Sequence, residues 1–355
     1  MNPSSKPAIS EAASVFLDAF RIVAALTVVL AHAGSRWLTA YPGVLTQLSR
    51  LSHVAVVVFF VISGYVIAFS SAGRGPRQFA IARLSRLYAV LLPALLLMAL
   101  IEFSVRQTDA ALAAPYIRGA SIPRYVLCLL FSNEIGWWSA APPINTPLWS
   151  LSFEFWFYVL FGSWHYGRGG WRRAGLVGLA GLVAGPKILL LLPVWLFGVA
   201  AYRWPKPAWL AGREWAVVLA LLGLTALAVA YVPRGPLDLG EAPLFLAGQF
   251  LTDWVVGLLF ALAVWSLPAS GQPGRSPWRT ALRTVADLSF PLYVLHFPLL
   301  MLWLTVFGRQ ADGLAQLALA VTVITLLAAG LGQGLERQRG WWVRLIDRWL
   351  PDRRR

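Results

Sequence analysis

The chain alternates long apolar runs with short polar breaks. Ten runs reach or approach the ~20 apolar residues that a helix needs to cross the hydrocarbon core of a bilayer. They cover roughly 16–33, 53–70, 87–105, 147–163, 174–185, 187–202, 214–232, 244–266, 287–306 and 313–334. The pattern predicts an all-α polytopic membrane protein with about ten transmembrane helices. The run 122–131 (IPRYVLCLLF) is too short to span and predicts an interfacial or re-entrant piece inside a longer loop. The run 174–185 is short and glycine-rich and stops at Gly185-Pro186, which predicts a broken hairpin with the next run. No loop is long enough for a separate soluble domain. The expected division is an N-terminal cytoplasmic tail over 1–15, a transmembrane domain over 16–334 and a basic cytoplasmic tail over 335–355.

Composition agrees with that class. Of the 355 residues, 58% are hydrophobic and only 13% charged, too few charges to cover a soluble protein of this size. The net charge of +15 would suggest nucleic acid on a soluble protein. Here the basic residues sit in short loops, so the charge reports topology and no nucleic-acid partner is expected. With a cytoplasmic N-terminus, 21 of the 30 Lys and Arg residues fall on inner segments and eight on outer ones. The positive-inside rule then places both termini in the cytoplasm. Ala31-His32-Ala33 mimics a signal-peptidase site, but Glu11, Asp18 and Arg21 precede a short apolar run, so an uncleaved first helix is expected. The single cysteine, Cys128, excludes an intrachain disulfide framework and a multi-cysteine metal site. HExxH, GxxxxGK[ST], CxxC and GxSxG are all absent, and no metal is expected.

Ionisable residues inside spans are costly and mark functional candidates. Arg21 and His32 lie eleven residues apart. That is about three helical turns, so both project from one face with a rise of ~16 Å. Arg21 falls in the cytoplasmic half and His32 in the outer half. On spacing alone, Arg21 reads either as a snorkelling anchor or as a functional cation. His32 reads either as an interfacial histidine or as a general base. Glu154 sits about two turns inside its span, among Phe153, Phe155 and Trp156. It is placed to pair with His32, as an orienting carboxylate or as a structural bond between helices. Arg83 and Arg86 lie three apart at the cytoplasmic start of the third span, suited to anchoring or to binding phosphates. His296 falls mid-span between Pro291 and Pro298, where proline frees backbone carbonyls near cavities. His53 and His165 sit at span ends and receive no role.

Five stretches, in order, resemble the acyltransferase family 3 of integral membrane O-acyltransferases. LDAFRIVAALTVVLAH is similar to the family's opening Arg/Lys–ten residues–His signature, through Arg21 and His32. VVVFFVISGYVIAF resembles its FFVLSGF segment, with Ser63 and Gly64 matching. ARLSRLY resembles its RxxR motif before the third span. PLWSLSFEFWFY resembles its WSLSxE segment, through Trp149, Ser152, Glu154 and Tyr158. LSFPLYVLHFPL resembles its S-x-x-LY-x-x-H-x-P segment, through Ser289, Tyr293, His296 and Pro298. The chain departs from the pattern at Phe155 and Trp156, where the family often has a carboxylate and an amide, and at Val56-Val57-Val58, where it often has an acidic residue.

The resemblance implies an enzyme of the bacterial inner membrane. It would move an acyl group, most commonly acetyl, from cytoplasmic acyl-CoA to a hydroxyl of a glycan or lipid-linked sugar. Acyl-CoA, a carbohydrate or glycolipid acceptor and membrane lipids are the partners so implied. His32 would be the base or a transient acyl carrier, Glu154 its orienting carboxylate, and Arg21 a guide for the donor. Arg83 and Arg86 would hold the CoA phosphates. Trp149, Ser152, Tyr158, Tyr293 and His296 are the remaining candidates for substrate contact. The competing class is a transporter or flippase of a lipid-linked sugar, since intramembrane His, Glu and Arg also suit proton coupling.

Overall fold

The computed structural model describes residues 9–238, 240–269, 276–309 and 313–350. Lys6, Arg275, the first part of the expected N-terminal tail and the last five residues lie outside the described residues. Fourteen α-helices form among the described residues, and no strand. They are α1 (Glu11–Trp37), α2 (Pro42–Ser71), α3 (Pro76–Thr108), α4 (Ala110–Ala113), α5 (Ser121–Leu129), α6 (Trp149–Tyr166) and α7 (Gly170–Ala184). There follow α8 (Pro186–Arg203), α9 (Glu214–Tyr231), α10 (Phe250–Ser266), α11 (Pro277–Asp287), α12 (Ser289–Phe307), α13 (Leu314–Arg337) and α14 (Arg339–Trp349).

Each of the ten predicted runs has its helix. Seven (α1, α2, α3, α8, α9, α12 and α13) are long and apolar enough to cross a membrane, and the chain is an all-α, multi-pass integral membrane protein. The remaining three are limited by identifiable residues. Glycines with left-handed φ, Gly169 at 77° and Gly185 at 82°, bound α7 to 15 residues. The expected 244–249 portion of α10 is taken up by turns, with Gly248 and Gln249 preceding the helix. Glu154, His165, three serines and the amphipathic Trp and Tyr side chains lower the hydropathy of α6. Other helices outrun their apolar cores because polar ends are stabilised locally. The Ser10 hydroxyl accepts from the Ala13 N–H at 3.2 Å and caps α1, and Pro76 opens α3 in the first turn, where its missing N–H is harmless. The short run 122–131 forms the nine-residue α5. Three short helices, α4, α11 and α14, have no counterpart among the predicted runs.

The chain divides into two compact units. The first comprises Met1–Leu26, Arg50–Arg74 and Leu189–Ser289. In it, α2 and α8 approach backbone to backbone. A Cβ added to Gly64 would stand 2.0 Å from the Trp195 carbonyl oxygen, and one added to Gly198 would stand 2.0 Å from that of Val61. The Trp195 indole donates to the Ser63 hydroxyl at 3.0 Å beside this contact. The Ser-Gly pair singled out in the sequence is therefore a packing device, since small residues let membrane helices touch. Gly64→Ala should destabilise the protein by about 3 kcal/mol or more, the upper range for overpacking. Thermal unfolding in detergent checks this, and an unchanged midpoint would contradict the close approach.

The second unit comprises Thr27–Ser49, Gly75–Ile188 and Phe290–Arg355. Its long helix α3 packs against α13 and α14, and α6 packs against α7. A core of Ile101, Val105, Ile144, Phe297 and Met301 joins α3, the loop before α6 and α12. Buried Glu102 on α3 accepts from Ser121 at 2.6 Å, from Tyr125 at 2.9 Å and from Arg106, fastening α5 to α3.

Candidate active site

The second unit holds the histidines that the sequence singled out, and α12 shows how they are positioned. Pro298 lies inside this helix. Lacking an N–H, it leaves the carbonyl four residues back, that of Val294, without a helical donor. The fully buried Asn145 supplies one from Nδ2 at 2.8 Å. One residue earlier, the Tyr293 hydroxyl donates to the Pro147 carbonyl at 2.6 Å and meets the Ser150 hydroxyl at 2.7 Å. The turn entering α6 is thus pinned to α12 at two successive residues.

From this braced segment His296, 1% exposed, reaches two partners. Its Nδ1 lies 2.7 Å from the Tyr293 carbonyl oxygen. Its Nε2 lies 3.1 Å from Nδ1 of His32 on α1. The His32 ring also meets the Phe297 ring edge-on, with centroids 5.4 Å apart. No side-chain group bonds Nε2 of His32 among the described residues. The His32 ring also hydrogen-bonds the Val28 backbone one turn back on α1, so the site presents a buried imidazole with Nδ1 against His296 and no side-chain partner on Nε2.

Glu154 is not among the contacts of His32. Its Oε1 accepts from the Tyr158 hydroxyl one turn along α6, and Arg83 and Arg86 bear electrostatically on that hydroxyl. Arg83 is buried, with its guanidinium 6.0 Å from the centre of the Phe79 ring. Glu154, Tyr158, Arg83 and Arg86 therefore form one polar cluster, and the side chain against Nδ1 of His32 is His296. The reason is that Glu154 and Tyr158 are four apart on one helix and bond within it. Ser152, fully buried, donates to the Phe131 carbonyl at 2.7 Å, and Trp149 packs edge-on against Phe153 with centroids 5.1 Å apart.

Arg21 belongs to the first unit. Its Nη1 lies 3.6 Å from Asp18 and 3.4 Å from Asp287, and Arg283 bears on the same Asp18. The i,i+3 spacing on α1 brings Asp18 and Arg21 together. The same unit holds a polar site that the sequence missed. His53, 5% exposed, places Nε2 at 3.0 and 2.9 Å from the two oxygens of buried Asp253, and Gln249 donates to that carboxylate at 3.3 Å. His53 looked like the end of a span because its apolar run starts there, but α2 begins at Pro42 and carries it inside the bundle.

A family profile described as an acyltransferase domain matches residues 14–332. The chain belongs to acyltransferase family 3 and is an acyltransferase of groups other than amino-acyl groups. The matched region covers most of both units and every site residue named above. Acyltransferase MdmB of Streptomyces mycarofaciens is 28% identical over 359 residues, covering 89% of this chain and 88% of its own length. No solved structure matches the chain significantly.

Proposed function

We propose that this family 3 acyltransferase moves an acyl group, in the simplest case acetyl, from acyl-CoA to a hydroxyl of a cell-surface glycan or lipid-linked sugar. On this reading it works in a bacterial cytoplasmic membrane with both termini inside. One observation carries the proposal: a buried pair of histidines, His32 against His296, sits on the opening helix of an acyltransferase domain, with no side-chain partner on His32 Nε2 among the described residues. That nitrogen takes the proton of the acceptor hydroxyl as the hydroxyl oxygen attacks the thioester carbonyl. A C–O bond forms and the C–S bond breaks. The departing thiolate takes the proton back from the imidazolium, leaving ester, free CoA and neutral His32.

Arg83 and Arg86 are suited to the phosphates of the donor, as guanidinium groups pair with phosphate oxygens through several N–H bonds. Replacing both with alanine should raise the donor KM by about tenfold or more, the value of one or two charge-assisted hydrogen bonds, with little change in acceptor KM. Steady-state kinetics at varied acyl-CoA checks this, and an unchanged donor KM would remove the assignment.

The reaction itself is tested by incubating membranes that contain the protein with acetyl-CoA labelled in the acetyl group. Label should appear on glycan as an alkali-labile ester and be absent from control membranes. Movement of a lipid-linked sugar across the membrane without any acylation would overturn the reading.

A further inference from the structure

We propose that His296 is the positioning residue of this site. It holds His32 in the one tautomer that leaves Nε2 unprotonated and available as the base. The inference rests on the transferase reading above and adds the assignment of protons along the network.

The assignment follows from what each group can do. A backbone carbonyl only accepts, so the 2.7 Å contact to the Tyr293 oxygen requires the hydrogen on Nδ1 of His296. A neutral imidazole carries one N–H, so Nε2 of His296 has a lone pair and accepts. Its contact at 3.1 Å is Nδ1 of His32, which must then be the donor. With its hydrogen committed to Nδ1, which on this assignment also serves the backbone bond to Val28 one turn back, neutral His32 has its lone pair on Nε2. A proton arriving from an acceptor hydroxyl therefore lands on Nε2 and leaves the Nδ1–H bond in place. That bond becomes charge-assisted once His32 is an imidazolium, so it strengthens as the hydroxyl is deprotonated.

The network behind His296 makes the assignment rigid. Tyr293, whose carbonyl orients His296, is itself anchored through its hydroxyl to Pro147 and Ser150. Asn145 holds the adjacent carbonyl released by Pro298. A neutral imidazole also performs this task inside an apolar bundle without burying a net charge, the larger cost that an orienting carboxylate would bring.

The chain has only four histidines, so full-length protein carrying ¹⁵N-histidine in lipid bilayers gives an assignable spectrum. Signals lost in His32→Gln and in His296→Gln identify the two rings. In the wild type, the nitrogen shifts should show Nδ1 protonated and Nε2 unprotonated in both. In His296→Leu, His32 should lose that preference and kcat should fall about 100-fold or more, the usual worth of general-base catalysis, with the donor KM unchanged. His296→Gln, whose amide oxygen can accept from His32, should restore the tautomer and most of kcat. A wild-type His32 protonated on Nε2 would overturn the proposal. So would a His296→Leu protein that keeps the wild-type tautomer and kcat, or a His296→Gln protein no better than His296→Leu in both readouts. The tautomer is read without turnover. The expected tautomer in a protein inactive toward acyl-CoA would therefore sink the transferase reading alone.

Discussion

His32→Ala should lower acyl transfer by about 10²–10⁴-fold, the range that a positioned base supplies. The loss should appear in kcat. Alanine is the best helix former, so α1 is expected to remain helical and the protein to accumulate in membranes at its usual level. His32→Gln separates chemistry from packing. Its amide N–H can still donate to Nε2 of His296, but the side chain cannot take a proton. It should therefore be as inactive as alanine while unfolding at nearly the wild-type temperature. A glutamine variant working at more than a third of the wild-type rate would show that His32 is not the base. The same protein decides between base and acyl carrier. A short pulse of labelled acyl-CoA without acceptor should leave the wild-type chain unlabelled, whereas a carrier would retain label that His32→Ala lacks.

The helical fold was legible because its signal is repeated. Ten apolar runs predicted ten helices, and each formed. The Arg21–His32 spacing was legible for the same reason, since an unbroken helix fixes the relation of positions eleven apart. Partners across helices were not legible. Glu154 and His32 seemed matched because both were lone polar groups estimated at similar depth. Depth along a helix says nothing about the direction in which a side chain faces, and Glu154 found Tyr158 on its own helix. The His32–His296 contact joins residues 264 positions apart, and no local pattern encodes it. One cross-helix contact does have a sequence signal. A proline inside a helix orphans the carbonyl four residues earlier, so Pro298 predicted a donor for Val294, and Asn145 provides it.

Arg21 shows the same limit from the other side. Its position inside an apolar run suggested either an anchor or a guide for an anionic donor. Two carboxylates, Asp18 and Asp287, stand 3.6 and 3.4 Å from its Nη1. Each offsets part of its charge, so its attraction for a distant phosphate is weaker than that of an unmatched guanidinium. Arg83 and Arg86, which bear on the Tyr158 hydroxyl beside Glu154, are the pair proposed above for a polyanion. On the proposed function, the phosphates of the donor are expected to depend more on the start of α3 than on α1.

Lys187→Met should destabilise the protein by about 3–5 kcal/mol, the cost of stranding a buried partner charge. In the sequence Lys187 was one of eight outer basic residues that help to set the topology. In the second unit it is 1% exposed, with Nζ 2.7 Å from Glu134 Oε2 and 2.6 Å from the Trp138 carbonyl. Ser139 donates to the other Glu134 oxygen at 2.8 Å. Burial pushes the Glu134 carboxyl above its ordinary range, and the Lys187 ammonium opposes that rise. Without the lysine, the carboxylate must be protonated or rehydrated, and the loop has to open. The neighbouring backbone leaves little slack, as the Gly136 N–H bonds the Ala184 carbonyl at 3.1 Å and a Cβ on Gly185 would stand 2.5 Å from the Cα of Gly136. The double variant Glu134→Leu with Lys187→Met removes both charges and should recover most of the loss, because a buried ion pair is nearly neutral against an apolar pair of similar volume. Thermal unfolding of the three proteins in one detergent is the measurement. Equal destabilisation of the single and double variants would mean that packing, and not the stranded charge, sets the cost. The same clip bears on catalysis. It fastens the loop that carries Phe131, whose carbonyl receives Ser152 and Trp156 of α6, and Asn145, which braces α12. Lys187→Met should therefore lose transfer activity at temperatures where α1 and α12 are still folded, and the double variant should regain it.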